Sequence, residues 1–169
     1  MALPLVIAVI MGVLIYAGIY TLPPWFSEQC ALILPAIFAG ICIIRFLATR
    51  HLFFIWATTL LIVLFCREIH FRGTTTGVYV GFAIVIMFML LKYDKLNEFL
   101  NNPIFLTFFA VGFASYFLTY TIDQRWWKAL IPGEEIFHTH LEEFMEVFGH
   151  CVIGFTLVLS RKNTITQSE

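Results

Sequence analysis

Six apolar runs, at residues 3–20, 31–48, 52–71, 76–91, 104–122 and 140–160, occupy most of this sequence, and polar or helix-breaking residues separate them. Each approaches the ~20 residues that a helix needs to cross a hydrocarbon layer of about 30 Å. Inside hydrocarbon every backbone amide must be satisfied within its own segment, so a run of this kind is expected to be a helix. Only 12% of the 169 residues are charged and 60% are hydrophobic. A soluble domain carries about 25% charged residues, and a water-exposed fold of this composition would leave most of its 19 phenylalanines without cover. The expected fold class is therefore an all-α polytopic membrane protein, a bundle of about six transmembrane helices. It forms one transmembrane domain over residues 1–160, followed by a short polar cytoplasmic tail at 161–169. The connections are too short for a soluble domain.

Punctuation sets the expected boundaries. Pro23-Pro24 closes the first run, and Asn101-Asn102-Pro103 reads as a cap with proline in the first turn of the fifth. Pro132-Gly133 breaks the stretch before the sixth run, and Thr49-Arg50-His51 reads as a tight hairpin. The first run lacks a basic flank and a small-residue cleavage pattern, so it is expected to be a retained span. Gly73-x-x-x-Gly77-x-x-x-Gly81 at the fourth run is expected to give close helix packing.

Charge placement orients the bundle. Arg45, Arg50, Lys92, Lys95, Arg161 and Lys162 fall on one side, and Arg67, Arg72, Arg125 and Lys128 on the other. The richer side is expected to be cytoplasmic, which puts both termini there. The acids divide the other way, with Asp94, Glu98 and Glu169 inside and the remaining eight outside. His70, His138, His140 and His150 also fall on the outer side. The net charge of −1 gives no basic patch for nucleic acid. Cys30, Cys42, Cys66 and Cys151 show no Cys-x-x-Cys spacing and read as packed thiols.

The informative segment is His138-Thr-His-Leu-Glu-Glu-Phe-Met-Glu-Val-Phe-Gly-His150. Residues three and four apart share a helix face, so Glu142, Glu146 and His150 form one stripe and Glu143 joins it. The stripe runs directly into apolar sequence, so Glu146 and His150 are expected below the outer boundary, where an ionisable group costs about 2.5 kcal/mol or more. Glu68 and His70 at the end of the third run and Asp123 at the end of the fifth reach the same expected level.

Carboxylates and imidazoles of this kind can hold a divalent metal such as zinc, iron or manganese and activate water on it. In that reading Glu146 and His150, with Glu68, His70 or Asp123, are the ligands. Glu142 or Glu143 acts as general base, and Arg67 holds an anionic group. The activity would be metal-dependent hydrolysis or transfer on a lipid-like substrate. In general plan this resembles seven-span lipid hydrolases of the ceramidase and progestin-receptor type, which gather Glu, Asp and His around one zinc near a membrane surface. The chain is about one span shorter and lacks their His-x-x-x-His pair, so neither fold nor residue roles carry over. The pattern Arg67-Glu68, Asp123, Glu142-Glu143-x-x-Glu146 is also similar to small bacterial inner-membrane proteins, a likeness that implies location.

Three other readings use the same residues. The charges can form a structural ion network, with Arg67 or Arg72 paired to Glu143 or Glu146. They can dock another membrane protein, making the chain a noncatalytic subunit or assembly factor. Or Glu142, Glu146 and His150 can carry protons or ions. Membrane lipids are the common partner in all of these.

Overall fold

The computed structural model describes residues 2–20, 23–69, 74–128 and 134–161. Among these there are seven helices and no strand: α1 (Leu3–Tyr16), α2 (Pro24–Thr49), α3 (Leu52–Glu68), α4 (Thr74–Leu91), α5 (Tyr93–Leu100), α6 (Pro103–Asp123) and α7 (Glu134–Leu159). The side chains of residues 24, 74, 75 and 134–137 are not described.

The helix ends follow from local chemistry. The Asn102 carboxamide oxygen accepts the backbone N–H groups of Ile104 at 2.9 Å and Phe105 at 3.4 Å, capping α6 just before Pro103. The expected hairpin is present. Arg50 takes the left-handed conformation at φ 54, and His51 Nδ1 accepts the Phe53 N–H at 3.2 Å to cap α3. Gly18, at φ 68, turns the chain at the end of α1.

Several boundaries differ from the expectation. Proline is tolerated in a first helical turn, where its missing N–H has no partner to lose. Pro24 accordingly opens α2 rather than only closing α1, and α2 starts seven residues early and runs on through Pro35. Helix α7 opens at Glu134-Glu135, where negative charge suits a helix N-terminus. A separate short helix, α5, follows α4 at a bend of 96°. Its Leu96, Phe99 and Leu100 are buried, while Asp94, Lys95 and Glu98 are exposed. Among the described residues two helices, α2 and α6, are long and apolar enough to cross a membrane, and a third crossing results if α4 and α5 make one broken span. Helix α1 has 14 residues and α3 has 17.

The chain divides into two compact units. The first comprises Met1–Ala31 with Phe109–Ile153, the second Leu32–Phe108 with Gly154–Glu169. Helices α2, α6 and α7 each contribute residues to both. In the first unit Ala8, Ile122, Leu141 and Met145 form an apolar centre, joined by Leu118, Trp127 and Phe148. Gly112 on α6 lies where a Cβ would run into the Ile153 side chain of α7, so these helices meet at close range.

The second unit is built on rings. Phe53 stacks on Phe99 at 4.2 Å and meets Phe54, Trp56 and Phe105. Trp56 Nε1 donates to the Val85 carbonyl at 3.1 Å, tying α3 to α4. Tight glycine packing is realised at Gly81, where a Cβ would lie 2.7 Å from a Val63 methyl. Nothing lies near Gly77, and Gly73 is outside the described residues. The Arg45 guanidinium donates to the carbonyls of Val158 and Ser160 at the end of α7 and lies 4.3 Å from the centre of the Phe54 ring. Free C-terminal carbonyls are thereby satisfied by a cation, a favourable charge for that helix end.

Candidate functional site

Most of the buried polar side chains of the first unit lie on α6 and α7, with Ser27 of α2 in addition. Moving inward along α7, Glu142 and Glu143 are half-buried, Glu146 is 9% exposed and His150 is 1% exposed. That gradient is what the i, i+4 stripe and the apolar continuation of the helix require.

The sequence reading did not include the group that receives His150. The Tyr116 hydroxyl of α6 lies 2.5 Å from His150 Nδ1, and the two rings meet edge to face with centres 5.3 Å apart. The contact depends on bare backbone. A Cβ at Gly149 would stand 3.4 Å from Tyr116 Cζ, the ring carbon that bears the hydroxyl, and 3.6 Å from the Gly112 carbonyl oxygen. Glycine at both crossing positions lets the phenol lie against α7 and reach the imidazole.

Two further polar residues of α6, Ser115 and Thr119, are fully buried. Their hydroxyls donate to the carbonyls of Val111 at 2.9 Å and Ser115 at 3.0 Å, so their donors are satisfied within α6 itself. At the end of the helix Trp127 Nε1 donates to the Thr121 hydroxyl at 2.9 Å, folding the following turn back on the unit.

Of the other expected site residues, Arg67, Glu68 and Asp123 are described and His70 is not. Asp123 is exposed at the end of α6 and accepts from the Gln124 side-chain amide at 2.9 Å. Glu68 belongs to the second unit, where its carboxylate is 3.7 Å from the Arg67 guanidinium. His70 and Arg72 are outside the described residues. His138, at the start of α7, has a buried Nδ1 without a hydrogen-bond partner among the described residues. Among those residues no three His, Cys, Asp or Glu side chains are grouped so as to hold a metal ion.

The signals that could have found Tyr116 are Gly112 on α6 and Gly149 on α7, and the Ser115–Thr119 polar face beside it. What the arrangement offers chemically is a phenol and an imidazole in hydrogen-bond contact, one helical turn from a buried carboxylate. No family model, curated protein or solved structure matches the chain.

Proposed function

We propose that this chain is a multi-pass protein of a bacterial inner membrane, with both termini cytoplasmic, in which Tyr116, Glu146 and His150 form a proton-binding centre for ion- or proton-coupled work. The observation that carries this reading is the burial of His150 to 1% exposure with its Nδ1 2.5 Å from the Tyr116 hydroxyl. A docked partner needs charge at the surface, and a catalytic metal needs three or four donors with an open position. A proton needs only a buried titratable group in hydrogen-bond contact. Ionisable residues at membrane depth mark proton relays when they face a bundle interior.

The large apolar side chains exposed along the helices, such as Val9 and Val13 of α1, Val80 and Met87 of α4 and Phe117 of α6, support lipid as their surroundings. Glu142, Glu146 and His150 step inward by one turn each, a spacing over which neighbours on one face interact. Beyond Cys151, α7 carries no ionisable residue up to its end at Leu159.

The test is proton uptake by the purified protein in lipid nanodiscs after an acid pulse, followed with a pH-indicating dye. Wild type should take up about one more proton per chain than His150→Gln; equal uptake overturns the proposal. Elemental analysis of the same preparation separates the metal-dependent hydrolase or transferase reading. Near-stoichiometric zinc, iron or manganese, lost in both Glu146→Ala and His150→Ala, would assign the centre to metal chemistry instead. Reporter fusions at the Thr49–His51 hairpin and after Asp123 should give opposite sides of the membrane, and the same side for both would contradict the topology.

A further inference from the structure

We infer that α5 is an interfacial helix that lies along the membrane surface over the start of α3, with Arg50, Lys92 and Lys95 meeting the phosphates of the surrounding phospholipids. This rests on the multi-pass reading above, in which α4 crosses the bilayer, and goes beyond it by giving α5 a place and a partner.

The direction of α5 comes from its bend. The axes of α4 and α5 differ by 96°. A crossing helix is tilted about 20° from the bilayer normal, so with α4 crossing in this way α5 runs within roughly 30° of the membrane plane. Helix α4 has 18 residues, about 27 Å at 1.5 Å per residue. It therefore nearly fills a hydrocarbon layer of ~30 Å without a contribution from α5.

The depth of α5 comes from exposure. From Val80 to Leu91 every exposed side chain of α4 is apolar, and Lys92, Tyr93, Asp94 and Lys95 then follow, all exposed. On α2, exposed Ile43, Ile44 and Leu47 give way to exposed Arg50 at the hairpin, and exposed Asn101 directly precedes α6 with its exposed Ile104 and Leu106. Contacts hold these transitions at one end of the second unit. His51 Nε2 lies 3.9 Å from Glu98 Oε2, and the His51 ring meets that of Phe99 at 4.8 Å. The Tyr93 hydroxyl donates to the Asn101 carboxamide oxygen at 3.2 Å. Placed in hydrocarbon as half of a span or as a re-entrant loop, α5 would turn exposed Asp94, Lys95 and Glu98 toward lipid tails, and each ionised group would lose its hydration.

The faces of α5 sort the charges. At ~100° per residue, Asp94 and Glu98 stand opposite the buried face of Leu96, Phe99 and Leu100, while Lys95 occupies one flank and Tyr93 the other. Phe99 stacks on Phe53, which seats that buried face on the first turn of α3. The acids then face water. Lys95 on the flank, Lys92 at the bend and Arg50 on the hairpin border the apolar surface, the position from which long basic side chains bring their charge to the headgroup layer. Phosphate supplies the complementary charge there.

The experiment is solid-state magnetic resonance of the full chain in phosphatidylglycerol bilayers, in a buffer without phosphate so that lipid is the only source of phosphorus. The side-chain nitrogen-15 signals are assigned by their loss in Arg50→Gln, Lys92→Gln and Lys95→Gln, all at exposed positions. Dephasing by phosphorus-31 should remove most of the intensity of these signals. Magnetisation from lipid acyl protons should reach Met87 and Leu90 several-fold more strongly than Asp94 and Glu98, and magnetisation from water should show the reverse order. Acyl transfer to Asp94 and Glu98 as strong as to Met87 would put α5 within hydrocarbon and overturn the inference, as would lysine signals that phosphorus leaves untouched. In both of those results Met87 stays among acyl chains and the crossing by α4 stands. Water transfer to Met87 as strong as to Asp94 would instead remove that crossing, and the multi-pass reading would fall together with the inference.

Discussion

The two units of this chain fill their interiors with different chemistry. In the second, Phe53, Phe54, Trp56, Phe99 and Phe105 interlock, and the shape of rings fixes how α3, α5 and α6 meet. In the first, the apolar centre around Leu141 and Met145 adjoins buried Ser115, Thr119, Glu146 and His150. Aromatic packing tolerates no loss of volume, whereas buried polar groups tolerate no loss of a partner. Burial of an acid and an imidazole on one helix face has no packing advantage over leucine, and this supports the proposal of a proton-binding centre there.

The largest expected effect is in the ring-built interior. Phe53→Ala should cost ~3–5 kcal/mol in a denaturant titration in detergent micelles, as expected for truncating a buried ring, while the His150 resonances of the folded fraction stay unchanged. A parallel change at His150 would mean that the two interiors are not independent. Next, His150→Leu keeps the volume roughly constant but removes the ring nitrogen that the Tyr116 hydroxyl meets, and should cost about 1–3 kcal/mol. Tyr116→Phe combined with His150→Leu should recover part of that loss, because the hydroxyl that lost this hydrogen bond is then removed as well; strictly additive costs would show that the pair is not coupled. Smallest of all, Trp56→Phe removes one hydrogen bond, to the Val85 carbonyl, from the ring-built unit. It should cost only ~0.6 kcal/mol, the usual value for an interhelical hydrogen bond in a bilayer protein. A cost as large as that of Phe53→Ala would contradict the view that ring shape dominates there.

Much of the helical framework was legible because its signals are local. The Asn102 cap, Pro103 at the start of α6 and the Thr49–His51 hairpin depend on residues within one turn. The starts of α2 and α7 were not legible in the same way. A search for apolar runs stops where polar residues begin, yet Glu28-Gln29 and Glu134-Glu135 continue as helix. Helix α5 escaped for a related reason. Its Leu96, Phe99 and Leu100 follow the i, i+3, i+4 spacing of an amphipathic helix, but the segment is too short and polar to register as a span.

The candidate site was half legible. The burial of Glu146 and His150 follows from one helix and its period, so sequence sufficed. Tyr116 is 34 positions away from His150, and no local rule connects them; only the glycines at 112 and 149 mark where two helices approach. Glu68 was grouped with Glu146 by equal expected depth on separate helices, a criterion that carries no information on lateral position; the carboxylate lies 3.7 Å from the guanidinium of its sequence neighbour Arg67.

The most direct test of the proton-binding centre is a pH titration of the His150 nitrogen-15 signals in lipid bilayers. The imidazole should pass reversibly between its neutral and protonated forms as the sample is acidified, and Tyr116→Phe should alter that passage. A His150 signal that stays in one protonation state across the whole range in which the protein remains folded would contradict it.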